Sequence, residues 1–322
     1  MQDKLIARAK ELLAEGKVQK VVGWKKGLFD EDITPGVFTS AEELDKDFVF
    51  NKYCKANLSK YLVKITKDIE IQKSTTRMNN TMAKQKDPNA QDKPIPQAVV
   101  LVFLKPNDSY SFTQLLKENR ITRGDVYAIG VPCQDTIDGP DVCDNCKGKK
   151  HVSCDELIGV DEAAEAELTP NTERMAEVAK LEAMTPDERF SFWRGELSRC
   201  IRCNACRNVC PACTCEKCVF DNNNLYTSQK VAQTNFEENL FHIIRAWHVA
   251  GRCTDCGECS RVCPQNIPLY LLNRKFIKDI NEIYGEYQAG ADMETKPAML
   301  RFQENDPETT IIYDRSKDGG AQ

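Results

Sequence analysis

Two stretches of the 322-residue chain repeat one cysteine spacing. Residues 200–211 are CIRCNACRNVCP and residues 253–264 are CTDCGECSRVCP, so both follow the pattern C-x2-C-x2-C-x3-C-P. Three thiolates separated by two residues on a coiled loop can each reach one iron of an iron–sulfur cube, and the x3 step moves the fourth towards a second cube. The proline then redirects the chain and removes an N–H group that would need a partner. The spacing therefore predicts two [4Fe-4S] clusters.

Each run supplies three ligands to one cluster and the fourth ligand to the other cluster. The first predicted ligand set is Cys200, Cys203, Cys206 and Cys263. The second predicted set is Cys253, Cys256, Cys259 and Cys210. A pair of zinc sites is the alternative, because four thiolates also suit zinc. Zinc knuckles usually separate two cysteine pairs, which favours the clusters.

Arginine and histidine residues lie near the cysteine motifs in the sequence. A nearby guanidinium stabilises the extra electron of a reduced cluster, although any single one can equally be a solvated surface group. The arginines beside the ligands are Arg199, Arg202, Arg207, Arg252 and Arg261. The histidines near cysteine motifs are His151, His242 and His248, and a lone helical histidine is more often a core or surface residue than a ligand.

The elements that must position these cysteines differ between the two halves of the chain. In the first half, helical spacing over residues 3–15 and the strand-like run 18–24 precede two continuous apolar runs at 98–104 and 126–131. The stretch between the apolar runs has helical periodicity, so this region predicts a parallel βαβ unit. Residues 71–96 are polar and contain proline, which predicts a surface excursion.

The second half reads as helical from about residue 160. Thr185-Pro186-Asp187-Glu188 is a helix start, with threonine as the N-cap and proline at the first position. Further helices are expected at about 229–250 and from Pro268. We therefore predict an α+β protein in which an N-terminal α/β domain precedes an all-helical two-cluster domain. The expected boundaries are an α/β domain at 1–160, a helical linker at 161–195, a dicluster domain at 196–285 and a tail at 286–322.

The composition argues against nucleic-acid-binding, membrane-spanning and secreted proteins. The 44 basic and 49 acidic residues give a net charge of −5, which argues against a dedicated nucleic-acid binder. We expect no transmembrane segment, because no apolar run approaches the roughly 18 residues that a span needs. The amphipathic start lacks the apolar core of a signal peptide. Sixteen cysteines in such a chain indicate metal or cluster ligands and a cytoplasmic location, rather than the disulfides of a secreted protein.

A second, less regular group of cysteines occupies the first half of the chain. Cys133 directly follows a predicted strand, and Cys143 and Cys146 form a C-x2-C pair. Strand ends are held rigidly, so these three thiols are a good start for a metal site. A fourth ligand must come from elsewhere, and Cys54 and Cys154 are the candidates.

Known families share these motifs. The 42 residues between Cys210 and Cys253 make the cysteine pair resemble the helical dicluster module of succinate dehydrogenase and heterodisulfide reductase subunits. The segments NKYCKANLSKYL, GVPCQ, CDNC and DELIG resemble the β-subunit family of deazaflavin-dependent hydrogenases and formate dehydrogenases. The resemblance covers about residues 1–305 and implies a third [4Fe-4S] cluster, with a set including Cys154 as the alternative. The implied ligands are Cys54, Cys133, Cys143 and Cys146.

The chain departs from that family after the 98–104 strand, where LKPNDSYSF replaces an expected KGCDSR-like segment. FAD binding and substrate chemistry at that strand end are therefore left open.

A further group of cysteines in CPACTCEKC fits a fourth cluster by count, with zinc or plain thiols as alternatives. The cysteines of this fourth set are Cys154, Cys213, Cys215 and Cys218.

Three functions compete. The first is a non-catalytic subunit of anaerobic metabolism that relays electrons between a flavoprotein and a dehydrogenase, hydrogenase or heterodisulfide-reductase-like subunit. The second is a flavin-bearing β subunit that itself reduces or oxidises a deazaflavin or nicotinamide coenzyme. The third is a structural protein that uses its metal sites to hold the fold. The dicluster repeat favours the relay, and the lack of a glycine-rich phosphate-binding motif weakens the flavoenzyme.

Overall fold

A five-stranded sheet forms the centre of the N-terminal half. The computed structural model describes residues 1–96, 98–133, 146, 150–167, 172–221 and 235–297. The strands are β1 (Lys20–Lys26), β2 (Ile33–Phe38), β3 (Val100–Leu104), β4 (Val126–Gly130) and β5 (Glu156–Leu157). The helices that pack with them are α1 (Gln2–Ala14), α2 (Ala41–Asp47), α3 (Ser59–Lys86) and α4 (Pro106–Lys117).

The sheet is mixed, in the order β2-β1-β3-β4-β5. Strands β1, β3, β4 and β5 run parallel, and β2 is antiparallel to β1. The predicted βαβ unit is confirmed, because α4 connects β3 to the parallel strand β4. Strand β2 was not predicted, since Pro35 and Gly36 interrupt its apolar run; the proline is tolerated because β2 lies at the sheet edge. Helices with a mixed sheet agree with the α+β class.

Strand β3 lies in the middle of the N-terminal core. All of its residues are buried, as expected for a central strand that is covered on both faces. Leu5 and Leu12 of α1 and Phe112 of α4 are fully buried in the same core. Complete burial of such a side chain stabilises the fold by about 1.5–3 kcal/mol. The core thus holds the carboxyl ends of β3 and β4, which are followed by Lys105 and Cys133.

The polar stretch 71–96 is more regular than expected. Its first part continues helix α3 to Lys86, and the side chain of Asn80 then pairs with the backbone of Lys93 through bonds of 2.8 and 2.9 Å. Beyond Ile69 this helix buries no apolar side chain, and Ile71, Met78 and Met82 are exposed. Without an apolar stripe, hydrophobic periodicity could not reveal the helix.

The second half consists of helices and loops wherever the structure describes it. The helices are α5 (Glu162–Glu167), α6 (Ala176–Ala183), α7 (Pro186–Ser198), α8 (Ala205–Asn208), α9 (Asn235–His248), α10 (Glu258–Arg261) and α11 (Leu269–Tyr284). The predicted start of α7 is confirmed as a capping box, in which Thr185 and Glu188 exchange side-chain and backbone hydrogen bonds. Residues 229–234 of the helix expected at 229–250 lie outside the described residues.

The chain after α11 folds back onto the N-terminal half. Tyr287 and Ala289 are buried, and Lys117 of α4 donates a hydrogen bond to the backbone carbonyl of Thr295 at 2.5 Å. Gly290 has a φ of +74°, and a Cβ built on it falls 1.9 Å from the carbonyl oxygen of Tyr110. Up to residue 297, therefore, the segment expected as a C-terminal tail is docked on α4. None of the helices in the described ranges is long and apolar enough to cross a membrane.

Candidate metal centre

The two cysteine runs fold alike. In each run the residue before the second cysteine is left-handed, with φ of 53° at Arg202 and 57° at Asp255. The residue after that cysteine is also left-handed, at Asn204 and Gly257, and caps a one-turn helix that carries the third cysteine. Repeated left-handed residues coil each loop tightly, so that the thiols converge. The short helices α8 and α10 pack against each other and bring the two loops together.

The first quartet, defined as Cys200, Cys203, Cys206 and Cys263, lines one cavity. Three of these cysteines come from the first run and the fourth comes from the second run. Burial raises the pKa of Cys206 to about 11, and the thiolates of the other three members act in the same direction. Cys203 is exposed, whereas Cys200 and Cys206 are buried. This quartet therefore has one side near the protein surface.

The second quartet is defined as Cys210, Cys253, Cys256 and Cys259. Three of these cysteines come from the second run, and Cys210 comes from the first run. Burial raises the pKa of Cys253 and of Cys259 to about 12, and the thiolate of Cys210 adds to each shift. Cys210, Cys253 and Cys256 line a second cavity. Helix α4 of the N-terminal half closes this cavity with Ser111, Gln114, Leu115 and Glu118.

Cys213 lies beside the second quartet. A hydrogen bond from the Cys213 thiol lowers the pKa of Cys210 to about 6, and the same contact raises the pKa of Cys213. The backbone carbonyl of Cys213 accepts a hydrogen bond from Lys60 of α3, and Glu216 pairs with Lys67, about two turns further along that helix. The segment with the extra cysteines is thus held between the second quartet and α3.

Helix α9 places two buried polar side chains at the quartets. The Arg245 guanidinium is 2% exposed, and none of its three nitrogens has a hydrogen-bond partner among the described residues. His242, one turn earlier, lines the first cavity, and both of its ring nitrogens are likewise without a partner there. Burial, with the neighbouring Arg245 and Arg202 charges, lowers the pKa of His242 to about 3. The imidazole is therefore neutral at physiological pH.

Buried donors without acceptors indicate that the site is shaped for an anionic group. An unpaired cation that is removed from water costs several kcal/mol unless a counter-charge lies close to it. Iron–sulfur cubes with four thiolate ligands are anionic and accept hydrogen bonds at sulfur. The donor set, the two cavities and the unpaired Arg245 therefore fit such clusters.

Sequence reasoning missed Arg245 and gave His242 an ordinary role. A signal was present, because Arg245 lies four residues after Phe241 and four before Val249, both buried, so a charge occupies the apolar face of α9. The arginines beside the cysteines behave differently. Arg199, Arg207, Arg252 and Arg261 form ion pairs with Glu196, Asp221, Glu118 and Glu258 respectively. Arg202 stacks on the ring of Phe241 at 4.1 Å.

The structure describes three of the four cysteines predicted for a third site. Cys54 is buried, accepts a hydrogen bond from the backbone N–H of Asn51 at 3.3 Å, and has a pKa raised by burial to about 11. Cys133 is exposed, Cys146 is half-buried, and Cys143 lies outside the described residues. Among the residues that the structure describes, no three histidine, cysteine, aspartate or glutamate side chains are grouped tightly enough for a single metal ion.

The cysteines of the predicted fourth set lie in different surroundings. Cys154 packs against the core of the N-terminal sheet, and burial raises its pKa to about 12. Cys213 lies at the second quartet, Cys215 is exposed, and Cys218 packs against the core around the first quartet. All four ligand sets remain predictions.

The second cysteine loop is docked on the N-terminal half. The hydroxyls of Ser111 and Thr254 lie 2.8 Å apart, and the Asn107 amide donates to the carbonyl of Asp255 at 3.4 Å. Arg252 forms a two-pronged contact with the carboxylate of Glu118 on α4. These contacts bring the second quartet, rather than the first, to the face of α4.

Known proteins resemble parts of the chain. Residues 196–267 match the 4Fe-4S dicluster domain family. The F420-dependent formate dehydrogenase subunit beta of Methanocaldococcus jannaschii is 33% identical over 106 residues, which are 33% of this chain and 27% of that protein. The F420-dependent formate dehydrogenase 1 subunit beta of Methanococcus maripaludis is 32% identical over 109 residues, 33% of this chain and 26% of that protein.

The chain thus spans about a quarter of the length of the curated relatives that it matches. The resemblance predicted from the cysteine motifs is confirmed in both parts, the β subunits and the dicluster. Residues 196–267 form a 4Fe-4S dicluster domain, in a chain that is similar to the β subunits of F420-dependent formate dehydrogenases.

Proposed function

We propose that the protein is an iron–sulfur subunit that relays single electrons within a multi-subunit redox complex of the formate dehydrogenase, hydrogenase or heterodisulfide-reductase type. One observation carries the proposal: each quartet takes three thiols from one coiled loop and the fourth from the other, and both border the same buried guanidinium. A [4Fe-4S] cluster held in each quartet supplies a one-electron station. The neighbouring side chains hold charge and exclude water.

The two quartets support the ligand sets proposed for the dicluster. Cys200, Cys203, Cys206 and Cys263 hold one cluster, and Cys253, Cys256, Cys259 and Cys210 hold the other. Pro211 and Pro264 end the two runs. The helices that are present between 196 and 285 support a wholly helical module for this part of the chain. Its partly exposed first quartet suits exchange with a partner subunit, and its second quartet faces the N-terminal half.

A third cluster, held by Cys54, Cys133, Cys143 and Cys146, extends the relay into the N-terminal half. Its support is the rigid strand end before Cys133 and the resemblance to the β-subunit family. A ligand set that includes Cys154 is the alternative. Cys213, Cys215 and Cys218 stay open between a fourth cluster, zinc and plain thiols. The cluster ligands support a reducing, cytoplasmic location.

A flavin-bearing β subunit is the second candidate, and the F420-dependent relatives favour it. The side chains after β3 favour the relay instead. Lys105 is buried and donates to the carbonyls of Cys54 and Lys55 at 3.0 and 2.8 Å. Ser109 donates to the carbonyl of Pro106 at 2.6 Å and accepts from the N–H of Val152 at 3.0 Å. Because these polar groups already form hydrogen bonds within the protein, they are poorly placed to bind a coenzyme.

The experiment that tests the proposal is a metal, sulfide and flavin assay on anaerobically purified full-length protein, with its visible and EPR spectra. We expect iron and acid-labile sulfide in equal amounts, about twelve irons for three clusters or about sixteen for four, and no flavin. Stoichiometric flavin would favour the β-subunit enzyme. A colourless protein that contains zinc and lacks iron would overturn both redox functions.

A further inference from the structure

Arg245 differs from the arginines next to the cysteines because its charge acts on cysteines of both quartets. It lies on α9, more than thirty residues from the end of the first run, yet its guanidinium reaches both quartets. The strongest electrostatic partners of Arg245 are Cys259 and Cys210 of the second quartet, Cys206 of the first quartet, and Cys213. The side chain thus lies where the two sets of thiolates approach each other.

Among the described residues, no carboxylate pairs with the Arg245 guanidinium. Its Nε, Nη1 and Nη2 atoms are all buried without a hydrogen-bond partner in the ranges that the structure covers. Burial acts against the charged form, but the surrounding thiolates raise the pKa of Arg245 above its ordinary value, so the guanidinium remains a cation. Four of the five arginines beside the ligands instead pair with carboxylates; Arg199, for example, pairs with Glu196.

A fixed cation between two redox centres affects both of them. Each centre takes up one electron on reduction and becomes more negative by one charge, and a buried cation stabilises that charge more than it would in water. Because the Arg245 guanidinium is close to ligands of both quartets, its field acts on both centres at once. A paired surface arginine contributes little, since its carboxylate partner and solvent cancel most of its field.

We propose that Arg245 is a positioning residue that raises the reduction potentials of both dicluster centres together. The proposal rests on the function proposed above. It assigns to a single side chain an upward shift that both stations share, so that each of them accepts an electron more readily than it would without this charge. The guanidinium does not exchange protons or electrons in this role.

The test is an anaerobic redox titration of the full-length chain, monitored by EPR, with dithionite as the source of the single electron that each centre accepts. Arg245→Met removes the charge and keeps most of the side-chain volume, whereas Arg245→Lys keeps the charge. In the Met variant we expect both centres to lose at least tenfold in the equilibrium constant for reduction, which is about 59 mV for a one-electron couple. The Lys variant should stay within tenfold of the wild type. Arg199→Met, beside a ligand but exposed and paired, is the matched control and should shift both centres by less than tenfold.

Several outcomes would overturn the proposal. Unchanged potentials in an iron-replete Met variant would remove the electrostatic role. A shift confined to one centre would show that Arg245 does not act on both. Loss of iron from both Arg245 variants would make the side chain a requirement for assembly, not a determinant of potential. Wild-type protein without two EPR-active centres would instead contradict the function proposed for the dicluster, which the iron and sulfide assay detects separately.

Discussion

Asn57 donates its backbone N–H to the carboxylate of Glu258 at 3.2 Å, and both residues are buried. Asn57 follows Cys54 by three positions, and Glu258 lies between Cys256 and Cys259. One hydrogen bond therefore connects the segment of the predicted third site to the loop of the second quartet. The Asn57 side chain also donates to Ser111 at 3.0 Å, and Ser111 contacts Thr254. The two halves of the chain are thus joined by a buried polar network at the point where electrons would cross.

Removing the hydroxyl at the centre of this network should weaken the junction. Ser111→Ala leaves the buried side chains of Asn57 and Thr254 each without one partner, and such a loss costs about 1–3 kcal/mol. We expect the free energy of unfolding, measured by denaturant titration, to fall by that amount. Ser198→Ala is the matched control, since that exposed hydroxyl bonds only to the carbonyl of Gly195 within its own helix. Equal stability of the two variants would contradict the network.

Cys203→Ser tests the first quartet. Cys203 is exposed, and serine has nearly the same shape, so the fold should persist while one thiolate ligand is lost. We expect about four irons fewer per chain and loss of electron transfer through the assembled complex, with the N-terminal cluster still in place. Iron analysis and EPR check the first result, and a coupled assay checks the second. Retained transfer in the assembled complex would count against the relay.

Two glycines make a pair with opposite expected effects. Gly290→Ala places a Cβ against the carbonyl of Tyr110 at a φ of +74°, so the segment must move, and we expect a loss of about 1–3 kcal/mol. Gly195 lies inside α7 with nothing within 4 Å of a built Cβ. Gly195→Ala should therefore stabilise the protein by about 0.5–1 kcal/mol, because alanine is the better helix former. Thermal unfolding of both variants checks the two predictions. Shifts of the unfolding temperature in the same direction would contradict the close packing of Gly290 against Tyr110.

A cluster of charges that joins α6 to α11 makes stability depend on pH. Burial opposes ionisation of Glu182, but its contacts with Lys275 and Lys278, at 2.7 and 2.8 Å, outweigh burial and lower its pKa. A carboxyl with a lowered folded-state pKa stabilises the fold above its unfolded pKa of about 4.3, and the gain is lost as the pH falls through the folded value.

Glu182→Gln should therefore cost roughly 0.2–1 kcal/mol near neutral pH, a small value because these side chains are partly exposed. The difference between variant and wild type should vanish in acid, where the carboxyl is protonated in both the folded and unfolded states. Denaturant titrations at neutral and acidic pH check the trend. A difference that persists unchanged at low pH would show that Glu182 acts through packing rather than charge.

Local patterns predicted some elements well and missed others. The buried runs of β3 and β4 and the capping box of α7 were found because apolar continuity and cap chemistry are local signals. Strand β2 was missed because proline and glycine at a sheet edge look like a turn. The second half of α3 was missed because it buries no apolar side chain after Ile69, so its sequence shows no apolar stripe.

The candidate site shows the same division. Cysteine spacing determined by itself the chemistry and the expected ligand sets, because the reach of a thiolate from a coiled loop is a local property of the backbone. The tertiary structure decided what surrounds those thiols: Arg245 between the quartets, His242 at the first cavity, and α4 against the second. These neighbours are far apart in the chain, and burial and charge arise only from packing distant segments together. That is why a sequence pattern predicts the ligands, while only the folded chain shows which charges lie near them.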